Sequence, residues 1–294
     1  MKNRMKYPSE INFKKATDGI CVCYKDNSKG KYNLDIWAIS YLLNEKLYQD
    51  HKENIVHLHV TDPTMALRMF FLNKFQLFKN IVFDVTNAGD FKEIIEDIIN
   101  GNDKKYTTYS DFAPRGKRQT QEALLEQHLS EDLSRLSETE FSESDEPITQ
   151  FPANIFKEEI SQEKRVTRKF WIDILAVNKF NQLSVIELKA GSNCPLDILI
   201  QATDYGIYCR LFKKHIAKSF FKNCNTEEIV KNKIAIYCVA EKLHPGLMGN
   251  NEIKGIVSLI RKNDLFDLIF VEIKTKDNKS ECKPVIVYDS RRTE

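Results

Sequence analysis

The feature that most constrains this chain is a pair of apolar, strand-like runs at residues 169–177 and 183–191, KFWIDILAV and LSVIELKAG. Successive side chains of a strand point to opposite faces. Asp173 is therefore the one charge inside the apolar part of the first run, and Glu187 and Lys189 share one face of the second. These charges are not needed for a strand pattern, so we expect them to have a function.

The residues between the two runs favour a tight turn. They read VNKFNQ, which is typical of a hairpin, so the two strands are predicted to be antiparallel neighbours. Counting back from the turn places Asp173 beside Glu187 and Lys189. Isolated buried charges are costly, so such groups should be paired or should bind a metal. Two carboxylates and a backbone carbonyl, here that of Leu188, are oxygen ligands suited to Mg²⁺, with Mn²⁺ as a substitute.

A predicted helix, LDILIQATDYGIYCRLF, follows the second run. Gln201 and Tyr205 are four residues apart and therefore share a face, which can look onto the predicted metal site. A metal there can activate a bound water and offset the charge that develops on a phosphodiester. We expect Lys189 to position or deprotonate that water or to stabilise the pentacovalent phosphorus. Gln201 would bind the water or a phosphate oxygen, and Tyr205 the substrate backbone.

This ordered set resembles the motif of the PD-(D/E)xK nuclease superfamily, which has the restriction-endonuclease-like fold. The matching residues are Asp173, then Glu187-Leu188-Lys189, then Gln201 and Tyr205, whose spacing is similar to the QxxxY helix motif of the RecB-type branch. The run RKFWIDILAVNKFNQLSVIELKAG also resembles endonucleases of the NucS or EndoMS type. The resemblance covers roughly residues 118–275. It implies a metal-dependent nuclease that acts on DNA, as an endonuclease, in defence or repair.

The resemblance also implies a further glutamate on a helix before the first core strand. Glu122 is the best match and Glu126 is its competitor. The separation of Glu122 from Asp173, about 50 residues, is longer than is usual in the family. Ile172 stands where proline is common. A second ExK occurs in VEIK at residues 271–274, so the triplet alone does not identify a site. The first ExK is distinguished by Asp173 before it and by Gln201 and Tyr205 after it.

The predicted fold class is α/β, in two domains. Residues 1–110 alternate strands with helices and are interpreted as a smaller α/β domain for recognition, regulation or dimerisation. Residues 111–294 are interpreted as the restriction-endonuclease-like core, a mixed central sheet flanked by helices. Within it, an acidic loop rich in Ser and Glu is predicted at about residues 137–150. The strands predicted in the first domain are GICVCY (19–24), NIVHLHV (54–60) and NIVFDV (80–85).

The charge of the chain limits how a nucleic acid could be bound. The formal net charge is only +2, so a nucleic-acid surface must come from local clustering of the 44 Lys and Arg residues. Residues 104–118 mix Tyr and Phe with Lys and Arg, which suits either a nucleic-acid grip or a solvated linker between domains.

The remaining expectations concern location and assembly. The first residues lack the apolar region of a signal peptide, and no stretch has the 18 or more apolar residues of a membrane helix. We therefore expect a cytoplasmic protein without a membrane partner. A two-fold homodimer would suit double-strand cuts. The alternative function is a catalytically inactive nuclease-fold module that binds nucleic acid or a protein partner, which the intact set Asp173, Glu187 and Lys189 disfavours.

Overall fold

The structure is a computed structural model, and the residues it describes are 5–25, 33–48, 52–60, 62–85, 89–100, 105–113, 120–142, 146–191, 194–250, 254–275 and 282–292. The chain forms two compact units, one of residues 1–96 with 244–263 and one of residues 97–243 with 264–294. Helices and strands are mixed in both units, which confirms the predicted α/β class. The two domains predicted from the sequence, residues 1–110 and 111–294, put the segment 244–263 in the second domain, whereas in the structure it belongs to the first unit.

A four-stranded sheet with the order β1-β2-β3-β4 forms the centre of the first unit. The first two strands are antiparallel and the last three are parallel, which follows from the helices that connect them. Asp62 accepts a hydrogen bond from the Met65 N–H at 3.0 Å and so caps the second helix. The elements are β1 (Ile11–Lys15), β2 (Gly19–Tyr24), α1 (Leu34–Asn44), β3 (Asn54–Leu58), α2 (Pro63–Lys74), β4 (Ile81–Val85) and α3 (Gly89–Ile99).

The segment 244–263 completes this first unit. It contains a one-turn helix (Pro245–Met248) and a 3-10 helix (Ile256–Leu259). Phe78 pairs with Ile260 in an antiparallel bridge, and the Lys79 N–H donates to the Leu259 carbonyl at 2.7 Å. Only four residues of GIVSLIRKN (255–263) are therefore helical, because the chain becomes extended where Ile260 pairs with Phe78.

A six-stranded mixed sheet, in the order β12-β11-β10-β9-β8-β6, forms the centre of the second unit. Strands β9, β10 and β11 are parallel, and the other neighbours are antiparallel. The elements are α4 (Gln121–Glu131), β6 (Ile148–Pro152), β8 (Trp171–Val177), β9 (Leu183–Lys189), α5 (Ile198–Phe220), α6 (Thr226–Lys231), β10 (Ile234–Ala240), β11 (Phe266–Thr275) and β12 (Cys282–Asp289), with β5 (Tyr106–Thr107) and β7 (Phe156–Lys157) as a separate pair.

The alternation of side chains in the β8–β9 hairpin determines which face of the sheet its charged residues occupy. Ile174 and Ile186 belong to one apolar cluster with Leu125 and Leu129 of α4. The alternate residues, among them Asp173, therefore point to the other face of the sheet. The long helix α5 packs against β9 and β10.

Parts of the acidic stretch at about residues 137–150 and of the aromatic and basic stretch at residues 104–118 are packed within the second unit. Phe141 is fully buried within the stretch predicted as an acidic loop, and β6 already begins at Ile148. In the aromatic and basic stretch, the Tyr109 ring meets Phe156 and the Phe112 ring meets Phe151 edge-on. These two rings are packed within the unit rather than displayed for base stacking. Lys104 and residues 114–118 of this stretch, and residues 143–145 of the acidic one, lie outside the described residues.

No helix in the described ranges is both long and apolar enough to cross a bilayer.

Gly19 allows β2 and β3 to approach closely. A Cβ at this position would lie 1.9 Å from the carbonyl oxygen of Ile55, which is backbone and has no room to move. We expect Gly19→Ala to lower the free energy of unfolding by roughly 1–3 kcal/mol, the range for overpacking, or more. Urea unfolding measures this loss.

Gly206 in α5 provides the matched control. Its Cβ would meet side-chain atoms, Cδ1 of Ile236 at 2.4 Å and Cε1 of Phe266 at 3.1 Å, and side chains can shift more readily than the backbone of a strand. Alanine also has a helix propensity better than that of glycine by about 1 kcal/mol, which offsets part of the strain. Gly206→Ala should therefore cost less than Gly19→Ala, and the reverse order would contradict this packing account.

Candidate metal and catalytic site

The β8–β9 hairpin brings Asp173 and Glu187 together. Ile174 pairs with Ile186, and one further step of this antiparallel register places Asp173 opposite Glu187. Both carboxyl groups are buried, with exposed fractions of 5% and 2%. Burial, followed by the negative charge of Asp173, raises the pKa of Glu187 well above its ordinary value. The two carboxyl groups are thus immediate neighbours.

One oxygen of Glu187 makes this pair unusual. Glu187 Oε1 accepts a hydrogen bond from Lys189 Nζ at 2.5 Å, whereas Oε2 is buried and has no donor among the described residues. Two ionised carboxylates are both acceptors, so they repel one another unless a proton or a cation lies between them. A buried carboxylate oxygen next to a second carboxylate is therefore a suitable ligand for a divalent cation.

Asp173 is fixed by donors on both of its oxygens. Oδ2 accepts from the Leu188 N–H at 2.9 Å, and Oδ1 accepts from Gln150 Nε2 at 3.1 Å. The N–H and carbonyl of one strand residue point toward the same neighbouring strand. Because the Leu188 N–H reaches Asp173, the Leu188 carbonyl lies on the same side, as its predicted ligand role requires.

Lys189 lies between carboxylates. Its Nζ is 2.5 Å from Glu187 Oε1 and 4.0 Å from Glu122 Oε2. Burial alone would lower the pKa of Lys189, but the charges of Glu187, Asp173 and Glu122 outweigh it, so the pKa is raised. The side chain is therefore an ammonium group here, and a hydrogen-bond donor rather than a base.

Gln201 and Tyr205 come to the same place from α5. Tyr205 is only 2% exposed, and its hydroxyl group shares a hydrogen bond with the Gln201 side chain. Burial, and then the charges of Glu187 and Asp173, raise the pKa of Tyr205. The hydroxyl group therefore stays protonated beside the two carboxylates. Because Tyr205 is so deeply buried, it is better suited to supporting the carboxylates than to making a wide contact with a substrate.

Both predicted helix glutamates approach the site, by different routes. Glu122 faces Lys189, whereas the buried Glu126 accepts a hydrogen bond from Gln150 Nε2 at 2.6 Å. Because Gln150 also donates to Asp173, Glu126 is joined to the carboxylate pair through one amide. Gln150 was not predicted as a site residue. Its only signal in the sequence is a polar residue within the short run ITQFP.

The available donors fit a hard divalent ion. Within the described ranges there is no group of three or more His, Cys, Asp or Glu side chains arranged to hold a metal. Two carboxylates and the carbonyl of Leu188 nevertheless suit Mg²⁺, because this ion keeps several of its waters and takes few protein ligands. The orphaned oxygen of Glu187 is compatible with such a site, in which Asp173, Glu187 and the Leu188 carbonyl would hold the ion.

The second ExK sequence has a different use. Glu272 in β11 accepts a hydrogen bond from the Leu243 N–H at 3.1 Å and thereby stabilises the chain after β10. One of its carboxylate oxygens is thus used in a hydrogen bond to the backbone. The two similar triplets are therefore distinguished by their contacts, as their neighbours in the sequence indicate.

Comparisons with known proteins add no further support for a family. No protein-family model matches the chain, and searches of curated proteins and of solved structures found no match. The functional assignment therefore depends on the site's geometry and on the resemblance of its motif.

Proposed function

We propose that this protein is a metal-dependent nuclease that hydrolyses phosphodiester bonds in DNA, as an endonuclease. The observation that carries the proposal is the buried, donor-less Oε2 of Glu187 beside the carboxylate of Asp173. Lys189 is in contact with Glu187, and Tyr205 lies close enough for its pKa to respond to both charges. An acidic pair with an adjacent ammonium group suits a reaction in which negative charge develops on phosphorus oxygens.

Each residue has a role in this proposal. Asp173, Glu187 and the carbonyl of Leu188 would hold Mg²⁺, or Mn²⁺ in its place. When bound, such an ion lowers the pKa of a water ligand and offsets charge on the phosphate. Lys189, as an ammonium group, donates to the attacking water or to a phosphate oxygen. Gln201 orients that water, and the Tyr205 hydroxyl group supports the carboxylates.

The cellular setting belongs to the same proposal. We place the activity in the cytoplasm, in DNA defence or repair, with the first unit for recognition, regulation or dimerisation. A two-fold homodimer would allow both strands of a duplex to be cut.

The direct test is cleavage of supercoiled plasmid, linear duplex, single-stranded DNA and RNA by the purified protein. We expect plasmid to be nicked or linearised with Mg²⁺ or Mn²⁺ and to stay intact with EDTA. The control is Glu187→Gln protein purified in the same way, which excludes a contaminating nuclease. DNA binding without cleavage of any substrate would overturn the proposal in favour of the inactive binding module.

The outer face of α5 provides a local basic surface. Arg210, Lys214 and Lys218 recur every four residues and are exposed, and α5 has no acidic residue after Asp204. All three are exposed whereas Tyr205 is buried, and a kink at Phe212 separates Arg210 from the two lysines. We therefore expect them to contact the nucleic-acid backbone beyond the reacting phosphate.

Neutralising this surface should weaken DNA binding uniformly across sequences. For the double change Lys214→Gln and Lys218→Gln, we expect the slope of log affinity against log salt to fall by roughly 2, about one unit for each phosphate that a lysine no longer neutralises. Fluorescence anisotropy with duplex DNA and EDTA measures it. The control is Lys231→Gln, because Lys231 is exposed but paired with Glu228 at 3.3 Å. If Lys231→Gln lowered the slope as much as the double change does, the assignment of Lys214 and Lys218 to the nucleic-acid surface would be wrong.

A further inference from the structure

Gln150 ties two acidic side chains together at the proposed site. Its Nε2 donates to Glu126 Oε2 at 2.6 Å and to Asp173 Oδ1 at 3.1 Å. The side chain is 5% exposed, so these contacts are made away from water. One amide group therefore uses both of its N–H bonds on carboxylates.

The backbone of β6 is distorted where it presents this amide. Gln150 has a φ of 50°, in the left-handed region that residues other than glycine seldom adopt. Thr149 pairs with Ile174 and Phe151 with Ile172, so Gln150 stands across from Asp173. Such a conformation persists only where the surroundings hold it, and it is found preferentially at functional sites.

The hydrogen bonds of Gln150 restrict how Asp173 can turn. The Leu188 N–H holds Oδ2 and the Gln150 amide holds Oδ1, so the plane of the carboxylate is fixed from both sides. Each carboxylate oxygen has a second lone pair, which remains available to a cation. Hydrogen bonds from neighbours that fix a ligand in this way are known to tune metal affinity.

We propose that Gln150 is a positioning residue of the metal site, which holds Asp173 in its ligating orientation and links it to Glu126. This inference rests on the proposed function, because it concerns the same cation. Gln150 would act on the cation through Asp173, to which its amide is hydrogen-bonded. Glu126 is then the helix carboxylate that is coupled to the metal ligands, and Glu122 is the one coupled to Lys189.

The test compares Gln150→Asn with Gln150→Leu. Asparagine tolerates the left-handed backbone and keeps the amide, but it is one methylene shorter and cannot reach both carboxylates. Isothermal titration with Mn²⁺, without DNA, measures cation affinity, and the Mg²⁺ dependence of cleavage gives the half-saturating concentration and the maximal rate. We expect both variants to bind Mn²⁺ about 10–100-fold more weakly, the usual effect of losing such a neighbour.

A second buried glutamine provides the matched control. Gln182 Nε2 donates to Asp267 Oδ2 at 2.7 Å, at the hairpin end of the sheet, away from Glu187. Gln182→Asn should therefore leave Mn²⁺ affinity at the wild-type value while it perturbs a comparable buried contact. Thermal unfolding of all variants separates weaker cation binding from loss of fold.

The outcomes distinguish the two proposals. Wild-type affinity for Mn²⁺ in Gln150→Asn would overturn the role of Gln150, and so would equal weakening by Gln182→Asn. A wild-type protein that binds Mn²⁺ but cuts nothing would overturn the proposed function alone, since the affinities still decide the role of Gln150. A wild-type protein that binds no divalent cation would overturn both.

Discussion

Glu187→Gln should raise the free energy of unfolding and abolish cation-dependent cleavage at the same time. The amide oxygen of glutamine can still accept from Lys189, while its NH₂ group replaces the buried Oε2 beside Asp173. In the wild type, Glu187 Oε2 and the Asp173 carboxylate are two facing hydrogen-bond acceptors, whereas in the variant the glutamine NH₂ group faces Asp173 as a donor. An unsatisfied buried acceptor costs about 1–3 kcal/mol, so we expect a gain in stability of that order at neutral pH.

The loss of cleavage should be large. A neutral amide is a poorer ligand for a divalent cation than a carboxylate, and the site loses one negative charge. Because a bound metal contributes several kcal/mol of transition-state stabilisation, we expect a decrease of at least roughly 10³-fold in the rate of plasmid nicking. The increased stability itself excludes misfolding as the cause. A variant that retains cleavage within tenfold of wild type would disprove the role of Glu187.

The gain in stability should depend on pH. The pKa of Glu187 in the folded protein is raised above its ordinary value of 4.5, chiefly by burial. A carboxyl group with a raised folded pKa loses stability as the pH increases from the unfolded to the folded pKa. Glutamine has no such loss. The difference between variant and wild type should be near zero below pH 4.5, should grow as the pH increases and should level off beyond the folded pKa of Glu187. Urea unfolding across this range measures it.

Added Mg²⁺ should reduce that difference, because a ligand that binds only the folded wild type increases its stability alone. A stability difference that does not change with Mg²⁺ would contradict the assignment of the site as a cation site.

Lys189→Met should have the opposite effect on stability and also impair cleavage. It removes the ammonium group that donates to Glu187 and leaves the carboxylates uncompensated. Breaking a buried pair costs roughly 3–5 kcal/mol, and we expect the lower end because Lys189 is partly exposed. Loss of one donor to developing charge should reduce the maximal cleavage rate by roughly 10²–10³-fold.

The control for stability is Lys164→Met, which removes an exposed pair with Glu158 at 3.2 Å and should cost at most about 1 kcal/mol. In the Glu187→Gln background, Lys189→Met should be much less destabilising, because the charge that it would strand is gone. Additive effects of the two changes would show that Lys189 and Glu187 do not act as a pair.

The site residues that could be predicted were identified from patterns between residues close together in the sequence. The alternation in KFWIDILAV and LSVIELKAG fixes which side chains share a face, and the short turn between them fixes the register. Gln201 and Tyr205 follow from helical spacing in the next segment. These signals depend on neighbours in sequence, so they are readable without the fold.

The parts that were missed depend on contacts between distant segments. Gln150 reaches Asp173 only because the backbone of an edge strand turns into the left-handed region. Strands β6 and β12 lie at the sheet edges and contain proline, which weakens their strand patterns. The choice between Glu122 and Glu126 was undecidable from spacing, because residues four apart on a helix share a face and both reach the site.

The division of the chain also affects the order in which its parts can fold during synthesis. The first unit needs Leu259 and Ile260 beside Phe78 and Lys79, yet these partners follow the first four strands of the other sheet in the chain. A ribosome releases segments from the amino end onward, and domains usually fold as they emerge. Here the first unit must remain incomplete until residue 263 has been made. By then α5 and β10 have already been made, so a nascent chain would carry an unfinished first unit and a nearly complete β8–β9 hairpin with its Asp173 and Glu187 pair.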